Sequence, residues 1–462
     1  MISRRGILLG AIATAGVAGA PFAAYSVLKR RPPGEDVIAW LRANAAPLAS
    51  AEPGSGFKEL ETLGRIVGKA RIVGLGEATH GTHEFVTLKH RMIEYCVSKF
   101  GFTMIGLEAA YGEERALNDY VMHGKGSATE AVGAMGFFIW QYEEIVALVE
   151  WVRAWNLVHE RKVKFYGFDM QNTDAATARL RDYLTPLAPE LAAEIETSLR
   201  PDVFEKFGSL PAAEQQQVLA HVKRILDSFD NERASWTGRT SEFEWRLARL
   251  SAVVLGQCAG LNRINETDRQ LEFRDHSMAD NVCALLEAEG PDAKALLLAH
   301  NGHVRRGPSF PSPVFRLFHR SPTTMGCHLY ARFGADYAVI GFSFNQGHFV
   351  AVDGDGKLST LHVGPAPGDM LDAALAATGL PLFVLLLDNL PAQGAAAKWM
   401  ESRPYQKDIG CCFSEKSYEL MLTLGIGVYM SAVNPRELYD AIFFVETTTA
   451  PRRLGRREVG AV

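Results

Sequence analysis

The chain of 462 residues is 47% hydrophobic, enough apolar material for a sizeable core in one large domain or two. A formal net charge of −5, with 22% charged residues, argues against nucleic acid as a partner, which would favour a basic face. The six cysteines, at 96, 258, 283, 327, 411 and 412, show no CxxC spacing. That speaks against a disulfide framework and against a cysteine-built zinc site, and the adjacent Cys411 and Cys412 are not expected to pair with each other.

The amino terminus carries Ser3-Arg4-Arg5 before an apolar stretch from Gly6 to Leu28, closed by Lys29-Arg30-Arg31. An arginine doublet ahead of a moderately apolar segment resembles a twin-arginine export signal. Ala18-Gly19-Ala20 offers a small-residue cleavage site, although Pro21 follows it. Uncleaved, residues 6–28 are long enough to tether the protein to a membrane. The expected location is therefore export, to the periplasm or a membrane anchor, and residues 1–31 stand apart from the fold.

After Pro32-Pro33 the pattern predicts helices over Val37–Asn44 and Lys58–Val67. The apolar run Ile72–Leu75 then reads as a buried strand, and a glycine-bounded turn leads from Gly76 to Gly81. A helix opens near Thr82, with Phe85, Leu88, Met92 and Cys96 at helical spacing towards the core. Strands follow at Phe102–Leu107 and Lys164–Phe168, with helices between them, including an aromatic one around Trp140–Trp155. No strand pattern appears from Ala175 to Ala288, where Ala-, Leu-, Glu- and Arg-rich helices read as an insertion or cap of about residues 175–290. Strand returns at Ala295–Ala299, Tyr337–Phe344, Pro381–Leu387 and Ala441–Val445. Strands alternating with helices predict one α/β domain over 32–462, its mostly parallel central sheet flanked by helices.

Four predicted strands finish on ionisable residues: Glu77, Glu108, Asp169 and His300. Parallel strands point their carboxyl ends to one edge, so these side chains converge on one pocket. A lone residue of this kind is usually a cap or a solvated charge; four together are harder to dismiss. Glu77 and His80 share one glycine-rich turn and look like an acid/base pair. His300-Asn301-Gly302-His303 places two histidines where they could bind a metal or divide base and orienting roles. HxxH alone is a weak signal, and His83, in the first turn of its helix, is expected to face outward. HExxH, G-x-S-x-G, G-x-G-x-x-G and the phosphate-binding loop pattern are all absent.

Gly76-Glu-Ala-Thr-His-Gly-Thr-His-Glu-Phe85 resembles the signature of the erythromycin esterase family. Gly106–Ala109, Gly167–Gln171, Phe273–Asn281, Ala299–His303, Thr324–Leu329 and Tyr439–Val445 match further stretches in the family's order, over roughly residues 35–450. The resemblance implies an α/β core with helical additions that hydrolyses an ester, in the best-known members the macrolide lactone. His80 matches the proposed general base, which activates water without a covalent intermediate or a cofactor. Glu77, Glu108, His300 and His303 match the other polar residues of that site. The family also places a basic residue on the following helix; counting puts Lys89 there, with Arg91 close by. The leader departs from the antibiotic-resistance enzymes, which act in the cytoplasm, and argues against a macrolide as the substrate.

The expected partner is thus a small-molecule ester or lactone. A carboxylate beside His80 would orient the imidazole and stabilise the imidazolium formed when water loses its proton. Lys89 or Arg91, with His300 or His303, would stabilise the oxyanion, and Asp169 would contact substrate. A metal-dependent hydrolase using the His/Glu cluster is the chemical rival, and a non-catalytic envelope-binding protein the rival from another class. Arg274 and Asp275 are expected to form an interhelical ion pair supporting the pocket. Trp140, Tyr142 and Trp151 could line an apolar cleft, though aromatic residues at this spacing usually belong to the core.

Overall fold

The computed structural model describes residues 32–310, 321–424 and 429–455; the basic–apolar leader lies outside them. The described residues form twelve strands: β1 (Ala45–Pro47), β2 (Ile72–Leu75), β3 (Met104–Ala110), β4 (Lys164–Asp169), β5 (Ala295–Leu298) and β6 (Ser309–Phe310). They continue with β7 (Tyr337–Val352), β8 (Leu358–Val363), β9 (Leu382–Leu386), β10 (Tyr405–Lys407), β11 (Met430–Val433) and β12 (Ala441–Thr448). The main sheet has the order β1-β9-β12-β7-β2-β5-β3-β4, with β8 folded back on β7. From β12 through β4 the strands are parallel, and β1, β8 and β9 pair antiparallel at the margins. A short antiparallel sheet, β10-β11-β6, sits apart.

Parallel strands covered on both faces must be apolar on both. Accordingly β2, β3 and β5 are buried at every position. The helices that matter for the site are α1 (Glu35–Asn44), α2 (His83–Phe100), α3 (Glu143–Val158), α4 (Asp174–Leu184), α5 (Ala212–Asn231), α6 (Glu242–Arg263) and α7 (Thr267–Glu289). One face of the sheet is covered by α2 and α3, and the other by α1 and α7. Phe85, Leu88, Met92 and Cys96 of α2 are wholly buried, as their spacing predicts. The helical region has a small core of its own, in which Leu180, Ile225, Phe229 and Leu255 from α4, α5 and α6 meet. The α7 helix belongs to the sheet instead: Met278, Val282 and Leu285 pack on it, and Asn281 donates to the carbonyl of Phe168 at 3.0 Å. Among the described residues no helix is long and apolar enough to cross a membrane.

Five strands escaped the sequence reading. β6, β10 and β11 are two to four residues long, β1 is three, and β8 is an edge strand with most side chains at least partly exposed. None carries enough alternation to register as a period-two pattern. Trp140 and Tyr142 are buried in the core, with Trp151 packed against it, so these rings serve packing.

Two contacts fix the loops over the sheet. The Gly81 carbonyl accepts from Val350 of β7 at 2.7 Å, and a Cβ at Gly81 would lie 2.1 Å from the Val350 carbonyl oxygen. Arg274 of α7 reaches Asp169 at the end of β4 at 2.7 Å, with Asp169 fully buried and Arg274 half-buried. Gly81→Ala should therefore destabilise the fold by about 1–3 kcal/mol, the range for forced overpacking, read as a lower denaturant midpoint with unchanged slope. Arg274→Met should cost more, about 3–5 kcal/mol, because it leaves buried carboxylates without their counter-charge; an unchanged midpoint would refute that role.

Candidate active site

The loop after β2 is fastened before it carries any chemistry. Gly76 N–H donates to Ile340 O at 2.9 Å, Ile409 N–H to Ala78 O at 2.9 Å, and Asn301 N–H to Glu77 O at 2.8 Å. Asn301 also clamps β7, donating to Phe342 O at 2.8 Å and accepting from Phe342 N–H at 3.1 Å. Only a glycine fits at 76, since a Cβ there would lie 2.1 Å from Asn301 Oδ1. The loop after β2 and the loop after β5 are thus one unit.

Glu77 lies at the centre of this unit. One oxygen accepts from His80 Nδ1 at 2.7 Å and the other from the Lys89 ammonium, and all three residues are buried. Burial would push the Glu77 carboxyl up, but Lys89 and His80 hold it below its usual value. For His80, burial would lower the pKa; the hydrogen bond to Glu77 and the negative charges of Glu108 and Glu77 outweigh it and raise it. With Nδ1 engaged, Nε2 is the nitrogen left to face a reactant.

Glu108 forms the second centre. It sits at a register shift between Leu107 and Ala110, where β3 bulges against β4, a device that re-aims a side chain. Its Oε2 accepts from the His300 backbone N–H at 2.9 Å, and its Oε1 meets Arg274 at 2.9 Å and His303 Nε2 at 3.2 Å. His303 Nδ1 donates to Asp275 at 2.9 Å. Burial would depress the His303 pKa, but Asp275 and Glu108 raise it to about 10, so this ring is an imidazolium at neutral pH. As such it cannot accept from Arg274; the 3.0 Å approach of Arg274 Nη1 to Nε2 is two donors sharing Glu108. Burial would also raise the Glu108 carboxyl, yet His303 and its other cationic neighbours hold it well below the carboxylate range.

His300 differs. Burial first, and the charge of His80 with it, lower its pKa, although Asp408 pulls the other way. Its Nδ1 accepts from the Gly302 backbone N–H at 3.2 Å, which assigns the proton to Nε2. That Nε2 is buried with no hydrogen-bond partner among the described residues. The His80 and His300 ring centroids are 5.1 Å apart.

Glu77, His80, Glu108, His300 and His303 therefore form one connected group, in the order the sheet sets. Lys89 joins it, but its ammonium is turned onto Glu77, so it positions the carboxylate. Arg91 does not join it. Two residues along a helix face opposite sides, and Arg91 bonds the carbonyls of Ser50 and Gly56 and the Glu59 carboxylate. Asp169 is completely buried and committed to Arg274 and to the Met170 N–H, which makes it a support for Arg274. Arg274 and Asp275 do not pair with each other: Arg274 holds two strand-end carboxylates, while Asp275 makes an interhelical ion pair with His303 of the short helix Asn301–Val304 and accepts from the Met325 N–H, which opens the helix Met325–Phe333. His83 points elsewhere, to Glu144 and Glu52, and the Glu144 hydrogen bond raises its pKa to about 9.

Asp408, 3.5 Å from His300 Nδ1, and Cys411, whose charge is felt at His80, were not anticipated. Only the cysteine doublet marked that segment in the sequence. Among the described residues no three His, Cys, Asp or Glu side chains are disposed to hold one metal ion; the carboxylates are already paired with Arg, Lys and His. A cavity of about 10 Å³, room for no more than a water, lies beside the His300 loop, lined by Asn301, Gly302, Arg305, Gln406 and Asp408 among others. A larger cleft of about 600 Å³ lies at the β4 edge, against Tyr166 and Arg179. His80 lines neither and is 8% exposed.

Comparison with known proteins supplies the family and the fold. The chain is 21% identical over 342 residues to erythromycin esterase type II of Escherichia coli, covering 68% of this chain and 78% of that one. A crystal structure described as a succinoglycan biosynthesis protein superposes with a TM-score of 0.76 at 24% identity, covering 90% of this chain and 98% of that one. An erythromycin esterase mutant, EreC, in its open conformation superposes at 0.64 and 21% identity, covering 87% and 97%. At such identities the solved structures attest the fold. The erythromycin esterase family model matches residues 97–448, about three quarters of the chain, and the protein belongs to that family.

Proposed function

We propose that the protein hydrolyses a carboxylic ester or lactone by general-base activation of water at His80. The observation that carries the reading is the buried Lys89–Glu77–His80 relay, which fixes the ring through Nδ1 and turns Nε2 to the reactant. Water would give its proton to Nε2 as its oxygen attacks the acyl carbon. The imidazolium that forms is matched by the surrounding charge. Four carboxylates (Glu77, Glu108, Asp169, Asp275) face three fixed cations (Lys89, Arg274, His303), and Asp408 stands 3.5 Å from His300, so the balance around the ring is negative and offsets it. His300 Nε2–H, unpartnered beside His80, is the donor for the developing oxyanion. Return of the proton from His80 to the leaving alkoxide completes hydrolysis with no covalent intermediate and no metal.

The family's name points to macrolide lactones as one substrate class, and E. coli erythromycin esterase type II is the relative that suggests it. A drug-sized ligand ordinarily needs a pocket of about 300–1,000 Å³, whereas the cavity beside the His300 loop holds about 10 Å³. His80 is 8% exposed, so any ester, macrolide or smaller, requires the walls over it to move. The basic–apolar leader remains the basis for proposing export.

His80→Ala should abolish nearly all hydrolysis of p-nitrophenyl esters or of erythromycin while leaving the fold intact, as read by an unchanged circular dichroism spectrum. Positioned base catalysis is worth about 10²–10⁴, so a variant retaining more than about a tenth of the rate would reject His80 as the base. Because His80 must be neutral to act and its pKa is raised, kcat/KM should climb with pH through a midpoint above the ordinary value of about 6.5. Glu77→Gln removes the group that raises it, so the rate should fall and the acid limb should move to lower pH; a limb that stays in place would show that another group titrates.

A further inference from the structure

The segment from Gln406 to Phe413 forms one wall of the site and contains groups the hydrolytic mechanism does not use. Ile409 N–H donates to Ala78 O at 2.9 Å, in the loop that carries His80, and Asp408 stands 3.5 Å from His300. The Cys411 carbonyl accepts from Val352 N–H at 2.9 Å, and Phe413 N–H donates to Val352 O at 2.9 Å. This holds Cys411 and Cys412 against the end of β7. Although adjacency makes them poor partners in the sequence, their sulfurs lie 3.3 Å apart and both residues are half-buried. By contrast Cys96 and Cys258 are buried, and burial raises the Cys258 thiol to about 12, so they are inert.

Cys411 has the character of an attacking thiol. The hydrogen bond from Cys412 and the charge of His80 bring it down to about 6 against the opposing effect of burial. The influence is mutual, since negative charge on Cys411 helps to raise His80.

We propose that Cys411 and Cys412 are a hydroperoxide-oxidisable dithiol on the active-site wall, and that closing it to a disulfide impairs the base His80. The impairment rests on the hydrolase reading above; the thiol chemistry does not. In the first step the Cys411 thiolate attacks a peroxide oxygen, the O–O bond breaks and hydroxide leaves, giving a sulfenic acid. Cys412 then attacks the Cys411 sulfur, the S–S bond forms and the S–O bond breaks. The hydroxide and the thiol proton leave as water. The hydroxide released in the first step takes up the proton that Cys411 gave to solvent, so the two thiols supply both electrons and one hydrogen peroxide becomes two waters.

Two consequences reach His80. The anionic sulfur is lost, so one support of the imidazolium disappears. In addition, adjacent Cα atoms are about 3.8 Å apart, closer than the roughly 4.4–6.8 Å usual across a disulfide. Closure must shift the backbone of 411–412, and Ile409 transmits the shift to Ala78. A 1 Å misplacement can cost about 10²-fold in rate.

The test uses the full chain treated with hydrogen peroxide at neutral pH. Mass spectrometry should show the peptide holding both cysteines lighter by two hydrogens, reversed by dithiothreitol. C412S should stop at a dimedone-trappable sulfenic acid. In the closed form, the His80 imidazole, assigned in nitrogen NMR against His80→Ala, should titrate at lower pH than in the reduced form. Turnover of a p-nitrophenyl ester should fall at least about tenfold, within the cost of a misplaced base, and return on reduction. A pair that stays open, or one that closes without moving the His80 titration or the rate, overturns the proposal. If the reduced protein turns over no ester, the hydrolase reading fails, while the mass and titration readouts still decide the thiol chemistry and its coupling to His80.

Discussion

A carboxylate held between an ammonium and an imidazole, all three shut away from water, sets the terms for the rest of the molecule. Removing such charges from solvent costs several kcal/mol per ion even after relaxation. Glu77, Lys89 and His80 persist only because each completes the others at hydrogen-bond distance. Small displacements would forfeit that compensation, so the loop bearing two of the three has to be rigid. Its backbone is tied to β7, to the Asn301 turn and to the Ile409 segment, while Lys89 comes from a helix buried on nearly every side. The cost of hidden charge thereby explains the dense fastening around a stretch of only six residues.

The same logic extends across the sheet. Neighbouring strands β2, β5, β3 and β4 deliver Glu77, His300, Glu108 and Asp169 to one edge, and α7 supplies Arg274 and Asp275 from above. Imidazoles of one chemical type take different states there. His303 lies between two carboxylates and stays charged; His300 accepts a backbone N–H and stays neutral; His80, held by Glu77, has its pKa raised. Neighbours alone decide this, as in sites where paired groups are pushed apart in pKa.

The parts legible in the sequence were those built from local pattern. The apolar runs of β2, β4 and β5 announce strands buried on both faces, and Phe85, Leu88, Met92 and Cys96 announce the core side of α2. The polar residues that end those strands announce the site. Lys89 and Arg91 show where this stops: both are basic, on one helix and two residues apart, and only the tertiary packing decides that one meets Glu77 while the other ties down Ser50 and Glu59. Arg274 was visible as a charged residue on a helix, but its reach to two strand ends depends on how α7 crosses the sheet. Asp408 and Cys411 follow a three-residue strand with no periodicity to betray it, so their approach to the histidines left no trace in the pattern.

The sixteen residues of β7 serve three neighbours in turn: β2 near Tyr337–Ile340, β12 along Ile340–Gly347, and β8 over Gly347–Val352. Along the way this strand receives the Asn301 clamp, the Gly81 tie and the Cys411 tie. It works as a measuring rod, spacing three loops along one axis. A one-residue deletion within it would turn the following side chains to the wrong face and slide two of the three ties out of alignment. The helical region, whose apolar interior lies mostly among its own helices, is under no such restriction. Lineages can resize that part freely, and divergence among family members should gather there while the length of this strand stays constant.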